Sequence, residues 1–299
     1  MRLILILLAF VPSINFFAQP FNVAKTMIAD EMDSVRNGSH KTNDYRFEPA
    51  TEMQVLRFLR TYDNDSSVDI RLRIQILKVG LGHRSKNIQI RQEVVQDLLL
   101  ANASGVSELE QYANNRLLDL FKETDYSDKA NHIIKDVFDK THDLHHLMLV
   151  CGLASAKEMI PRIKKYSAAI DPSDANWYSG SAWYADLALA RMNAIADETV
   201  RTMVAAVESE TQINYRVIRL EQLAYTRHPV VLKLLLKYLE GTDRLPPLHS
   251  QSEGIEVKYY IIWYLAKYMD AFPVKDAELS NYTPDEFEKA RAYLKSKLI

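Results

Sequence analysis

The chain has 299 residues, with 37 Lys+Arg against 39 Asp+Glu, and the resulting charge of −2 removes the electrostatic drive that nucleic acid or anionic lipid would need. Its 47% hydrophobic and 25% charged residues are the composition of a folded chain with a large core. With only 8 Gly and 10 Pro, turn residues are scarce, so a sheet-rich fold is disfavoured and an all-α fold is expected.

At the start, Arg2, the apolar run 3–11, Pro12 and a stretch ending Phe17-Ala18-Gln19 have the order of a signal peptide, assigned to residues 1–19. The apolar run is far short of the ~20 residues of a spanning helix. The expectation is therefore an exported protein, periplasmic or extracellular, with no membrane span once the signal is removed. Phe16 is larger than the usual small residue three positions before a cut after Ala18, which leaves the cut position open. The more polar stretch 20–67 reads as an N-terminal helical cap.

Helical periodicity sets in from about residue 50. Ile70, Ile74, Leu77 and Leu81 mark one helix, and Ile90, Val94, Val95 and Leu98 its hairpin partner. Ser107 and Glu110 have capping-box spacing ahead of Tyr112, Leu117, Leu120 and Phe121, so a further helix is expected to begin near Ser107, with Ile133, Ile134, Val137 and Phe138 in its partner. Ser155 and Glu158 share that spacing, but Pro161 would then break the helix interior, and a start about one turn later is expected. Thr283 and Glu286, with Pro284 at the first helical position, open a final helix through Phe287 and Leu294. This segment, 273–299, reads as a C-terminal capping helix.

Three stretches in the second half can be laid side by side: 149–163, 187–203 and 220–235. Each has an apolar helix end, a short small or polar turn and a second apolar helix, with Ile160, Val200 and Leu232 in equivalent places, 40 and 32 residues apart. This alternation resembles HEAT repeats, particularly the short type first noted in phycobilisome lyases, over about 68–272. The resemblance implies an α-α superhelix (a HEAT-like solenoid) of about five or six irregular helix pairs, right-handed, with a concave surface used for binding. Insertions at 171–180 and 242–253 interrupt the pattern. Di-iron hydroxylases built on HEAT-like repeats use paired His-Glu steps, and this chain has no His-Glu dipeptide. DNA glycosylases of that architecture need a basic groove, which the near-neutral charge does not provide.

No phosphate-cradling glycine pattern, H-E-x-x-H, C-x-x-C or G-x-S-x-G is present. The densest ligand-bearing stretch is His142-Asp143-Leu144-His145-His146. His142 and His146, four apart, would share a helix face and supply half of a zinc site, while Asp143 is equally a helix N-cap. Aromatic residues form two groups. Trp177, Tyr178, Trp183 and Tyr184 lie in or beside the first insertion, near Asp171, Asp174 and Asn176. Trp183 reads as core with Leu187 and Ala190, and Trp177 and Tyr178 either recognise a partner or pin the loop. Further along, Val257, Tyr260, Ile261, Tyr264, Leu265 and Tyr268 make a buried stripe, and Tyr259 and Trp263 face either a neighbouring repeat or the groove. Arg71, Arg73, Arg84, Lys86 and Arg91 gather in one hairpin, as an anion site or, more commonly, as a solvated charged face. Cys151, the single cysteine, shares a core stripe with Leu144, Leu147 and Met148 and reads as inert.

The functional expectation is a non-catalytic binding or scaffold protein without a cofactor, which takes a protein or peptide partner, with Trp177, Tyr178, Tyr259 and Trp263 as contacts and no nucleic acid. The alternative is an exported metal-dependent hydrolase that uses His142, Asp143, His145 and His146 with a further region such as His249.

Overall fold

A computed structural model describes residues 20–38, 45–167, 180–246, 254–275 and 281–298. Among these residues the fold is all-α: 14 helices, packed mostly on helices near them in the chain, with one isolated antiparallel bridge between Arg244 and Glu256. None of the described helices is long and apolar enough to cross a membrane. The chain divides into two compact units at Val94 and Val95.

In the first unit, α1 (Phe21–Arg36) packs on α2 (Glu52–Arg60) and α3 (Val68–Arg84), and α4 (Ile88–Ala101) begins after a short turn. Ser67 caps α3 by accepting the Ile70 amide. The expected stripe Ile70, Ile74, Leu77 and Leu81 is buried, as are Ile90, Val94, Val95 and Leu98. Charges are buried here in pairs, as their desolvation demands. The Arg73 guanidinium and the Tyr45 hydroxyl both donate to Glu31, and the fully buried Lys78 reaches both oxygens of Asp63 at 2.6 and 2.7 Å. Gly82 is required where α3 meets α4, because a Cβ there would lie 2.9 Å from Val94 Cβ.

The second unit holds α5 (Ser107–Leu120), α6 (Asp128–Val137), α7 (Leu144–Leu153), α8 (Ile160–Ile163), α9 (Ser181–Arg191), α10 (Asp197–Ser209), α11 (Ile213–Tyr225), α12 (Pro229–Glu240), α13 (Val257–Tyr268) and α14 (Pro284–Lys297). Its packing is dominated by alternate helices: α5 on α7, α7 on α9, α9 on α11 and α11 on α13 make one row, and α10 on α12 and α12 on α14 make a second, with chain neighbours from α9 to α13 also in contact. Between α7 and α9 the backbones come so close that a Cβ on Gly152 would sit 3.1 Å from Ala188 Cα. Trp183, Leu187, Leu220, Leu223, Ile261 and Leu265 fill the row's core.

Successive helices of the row are also tied by side chains. Asn114 Nδ2 donates to Asp143 Oδ2 at 3.1 Å, His145 Nε2 lies 2.9 Å from Ser181 Oγ, Trp183 Nε1 donates to Gln222 Oε1 at 2.8 Å, and Tyr264 Oη donates to the Val217 carbonyl at 3.2 Å. The chain leaves α7, α9 and α11 in the same way. Two residues beyond each helix end, Ser155, Asn193 and Arg227 take left-handed backbone, with φ of 50°, 54° and 56°. The Ala156 amide donates to the Cys151 carbonyl and the Ala194 amide to the Leu189 carbonyl, which closes the Schellman turns that satisfy otherwise orphaned helix-end acceptors.

Two capping expectations divide. Thr283 and Glu286 form their reciprocal box with Pro284 in the first turn of α14, and α8 carries Pro161 in its first turn as the proline requires. Helix α5 does begin at Ser107, but Ser107 is no cap. Val106 holds that position, and the buried Glu110 carboxylate instead accepts the Gly105 amide at 3.1 Å, the His142 amide at 2.6 Å and the Thr141 hydroxyl at 3.1 Å. Three donors outweigh the one that a local box offers.

Asp186 on α9 is fully buried, with Oδ1 accepting from Ser167 and Oδ2 unpaired. Burial pushes its carboxyl up to about 6, against the Ser167 hydrogen bond. The folded chain therefore holds this proton more tightly than the unfolded chain. The group's contribution to stability is complete below the unfolded carboxyl value and is lost as pH rises through about 6. Asp186→Asn is expected to raise the unfolding free energy by ~2 kcal/mol at pH 8 but hardly at all near pH 3, measured by urea denaturation across that range.

Candidate functional site

In the row of alternate helices, one pocket of about 170 Å³ takes lining residues from all five members. Helix α5 contributes Asn115, Leu118 and Asp119, α7 contributes His146 and Leu149, and α9 contributes Tyr184 and Leu187. Helix α11 adds Glu221, Gln222 and Tyr225, and α13 adds Lys267 and Tyr268. The leucines provide an apolar surface, and the carboxylates, amides, imidazole and ammonium are grouped with it.

Lys267 holds the pocket's ends together. Its Nζ donates to Asp119 Oδ1 of α5 at 2.9 Å and to Glu221 Oε1 of α11 at 3.0 Å, and Glu221 Oε1 also accepts from Tyr268 Oη at 3.2 Å. Burial works against the charged ammonium, but Tyr268, Glu221 and Asp119 together outweigh it and hold the lysine above its ordinary value. The Lys267 ammonium lies 5.0 Å from the Tyr268 ring centre and 5.8 Å from that of Trp263, within cation–π range. Burial raises the Tyr268 hydroxyl, with Lys267 pulling the other way, and burial also raises those of Tyr184 and Tyr225.

Beside this pair, His146 Nδ1 lies 2.7 Å from Asp143 Oδ1, while Asp143 Oδ2 is held by Asn114. Burial disfavours the Asp143 carboxylate, yet the hydrogen bonds from His146 and Asn114 more than compensate, and its carboxyl falls below the ordinary range. An ionised carboxylate only accepts, so Nδ1 carries the proton, and in the neutral ring Nε2 is an acceptor. Tyr225, in the lining, is held at two points: its hydroxyl donates to the Leu149 carbonyl, and Arg191 Nη1 donates to the Tyr225 carbonyl at 2.6 Å.

The histidines expected to cluster are spread over different partners. His142 is exposed, with Nδ1 3.3 Å from Glu110 Oε1; His145 stacks on Tyr184 with ring centres 4.9 Å apart and bonds Ser181; His146 alone lines the pocket. Burial lowers the His145 imidazole, with His146 acting in the same direction. Among the described residues, no group of three or more His, Cys, Asp or Glu is placed to hold a metal ion. His249 lies outside the described residues, as do Trp177, Tyr178, Asp171, Asp174 and Asn176.

Tyr259 and Trp263 part company. Tyr259 packs edge-on against Phe287 of α14 at 5.1 Å, whereas Trp263 stands beside Lys267. The basic residues of the α3–α4 hairpin also have separate partners: Arg73 meets Glu31, Arg84 donates to the Tyr45 carbonyl at 2.8 Å, and Arg91 to the Ser85 carbonyl at 3.2 Å. Cys151 is buried, and burial pushes its thiol up, which removes thiolate reactivity.

Asp119, Glu221, Gln222 and Lys267 were not singled out from the sequence. Their spacings carry no motif, and the one local sign is that Lys267 follows Trp263 by four residues, one helical turn. No family model matches this chain, and it matches no curated protein and no solved structure. No family is thereby identified.

Removing the bridging ammonium leaves two facing carboxylates at a half-buried site. Lys267→Met is expected to lower the unfolding free energy by ~1–2 kcal/mol at pH 7, less than for a fully buried pair because Asp119 is partly exposed. The loss should shrink at pH 5, where the unpaired carboxylates more readily accept protons. Thermal denaturation at the two pH values measures it.

Proposed function

We propose that this chain is an exported, non-catalytic binding protein of HEAT-like helical-repeat architecture, which holds a protein or peptide segment against its row of alternate helices. In this reading, residues 1–19 are the export signal, 20–67 an N-terminal cap, 68–272 the repeats and 273–299 the C-terminal cap.

The observation that carries the reading is the pocket with residues from α5, α7, α9, α11 and α13. Stacked helix pairs place the same side of every repeat on one surface, and extended partners lie along such surfaces. Two further observations support it. The three left-handed turns after α7, α9 and α11 recur at 155, 193 and 227, spacings of repeat length. Exposed Tyr215 and Ile218 lie on α11 two turns and one turn before Gln222, at i, i+3 and i+7, and so extend the pocket's apolar character along that helix. A preformed surface of this kind binds without ordering itself first, which spares conformational entropy.

A second reading, hydrolysis, is favoured by one arrangement, the Asp143–His146 pair with its imidazole in the pocket. An oriented histidine of this kind acts as a general base towards water. Activation of water in this way needs no Ser, Thr or Cys nucleophile, and among the described residues the lining has none; binding is preferred because five helices of one row share the lining.

Two experiments test the proposal. Selection of a displayed library of random short peptides on the purified protein should yield binders that lose about tenfold in affinity on Tyr184→Ala, with the helical circular dichroism retained; binders indifferent to that change would reject the pocket. Fractionation of cells that express the chain with and without residues 1–19 should move it from the exported to the retained fraction, and an unchanged distribution would reject export.

A further inference from the structure

The pocket's size and its donor–acceptor balance define what fills it. Its volume of about 170 Å³ suits a single large side chain. Its walls are Leu118, Leu149 and Leu187 with the rings of Tyr184, Tyr225 and Tyr268. Its carboxylates and ammonium are Asp119, Glu221 and Lys267, two negative charges against one positive.

Two acceptors come from two different helices. Lys267 occupies Asp119 Oδ1 and Glu221 Oε1, and the second oxygen of each carboxylate retains acceptor capacity. An anion would meet two carboxylates here and a purely apolar side chain would strip water from them without repayment. A guest with several N–H donors, a flat face for aromatic rings and a positive charge answers all three features. The resident ammonium of Lys267, between two carboxylates and near the Tyr268 and Trp263 rings, already displays the cation chemistry that these walls accept.

We infer that the pocket is the anchor site for an arginine side chain of a peptide partner, with the guanidinium bonded to Asp119 and Glu221 and flanked by tyrosine rings. This rests on the peptide-binding reading above and adds the chemistry of the anchor. Lysine is the poorer guest: its ammonium presents no flat face and repeats the contact that Lys267 has taken.

The test takes a peptide from the display selection and replaces its anchor in turn by arginine, by citrulline, which keeps the shape and loses the charge, and by norleucine. Binding to the full-length protein is measured by titration calorimetry. The arginine peptide should bind at least about tenfold tighter than the other two, with an advantage that falls as salt is raised. Glu221→Gln and Asp119→Asn should each reduce that advantage, with folding checked by thermal melting. Equal affinity of the citrulline or norleucine peptide, or selected peptides without arginine that still depend on Tyr184, would overturn the arginine assignment and leave the peptide-binding reading standing. A selection with no Tyr184-dependent binder at all would overturn both.

Discussion

A helix joined to its neighbours by short loops cannot cover its apolar stripe with those neighbours alone, and in this chain the helix two positions along supplies the missing cover. That requirement governs the second unit. Gly152 permits α7 and α9 to approach at backbone distance, and α9 in turn packs on α11 and α11 on α13 through side chains. Burial of side chains such as Trp183, Leu220 and Ile261 provides the drive, at roughly 25 cal/mol for each Å² of apolar surface withdrawn from water. The hydrogen bonds between successive helices add little net stability, but they select one register for each pair, because a slipped helix would leave Trp183 Nε1 or Asn114 Nδ2 buried without an acceptor.

The pocket follows from that stacking. Since every second helix belongs to one row, residues far apart in the chain share a surface, and Asp119, His146, Tyr184, Glu221 and Lys267 line one small volume. The polar residues there depend on each other. Lys267 satisfies one oxygen from each carboxylate, Asp143 orients His146, and Asn114 steadies Asp143. These bonds fix the polar side chains relative to one another.

Helix positions were legible because a 3.6-residue period is a local property: Ile70, Ile74, Leu77 and Leu81 are buried as their spacing implied, and Trp183 is core. Capping was legible only where nothing competed. Thr283 and Glu286 stand alone at the start of α14 and form their box, whereas Glu110 was drawn from Ser107 to the Thr141 hydroxyl and the His142 amide, 31 and 32 residues away. The recurring left-handed turns gave no compositional signal, because Ser155, Asn193 and Arg227 occupy positions where glycine is the usual marker. The pocket was the least legible feature, since each helix contributes two or three residues and none of the five sets is unusual by itself. Of the aromatics singled out, Trp263 lies beside the pocket through Lys267, Tyr259 belongs to the packing of α14, and Trp177 and Tyr178 fall outside the described residues.

The bridge from Lys267 to Asp119 joins positions 148 residues apart in sequence. Contacts of such separation bear the full entropic cost of closing the intervening chain, so they form only after nearer contacts have shortened the effective loop. The ammonium therefore reaches its carboxylate late, once α7, α9 and α11 are in place between them. A polypeptide halted during synthesis before α13 emerges has Asp119 and Glu221 but no Lys267 to join them, and its unfinished state carries one more uncompensated negative charge there than the complete chain.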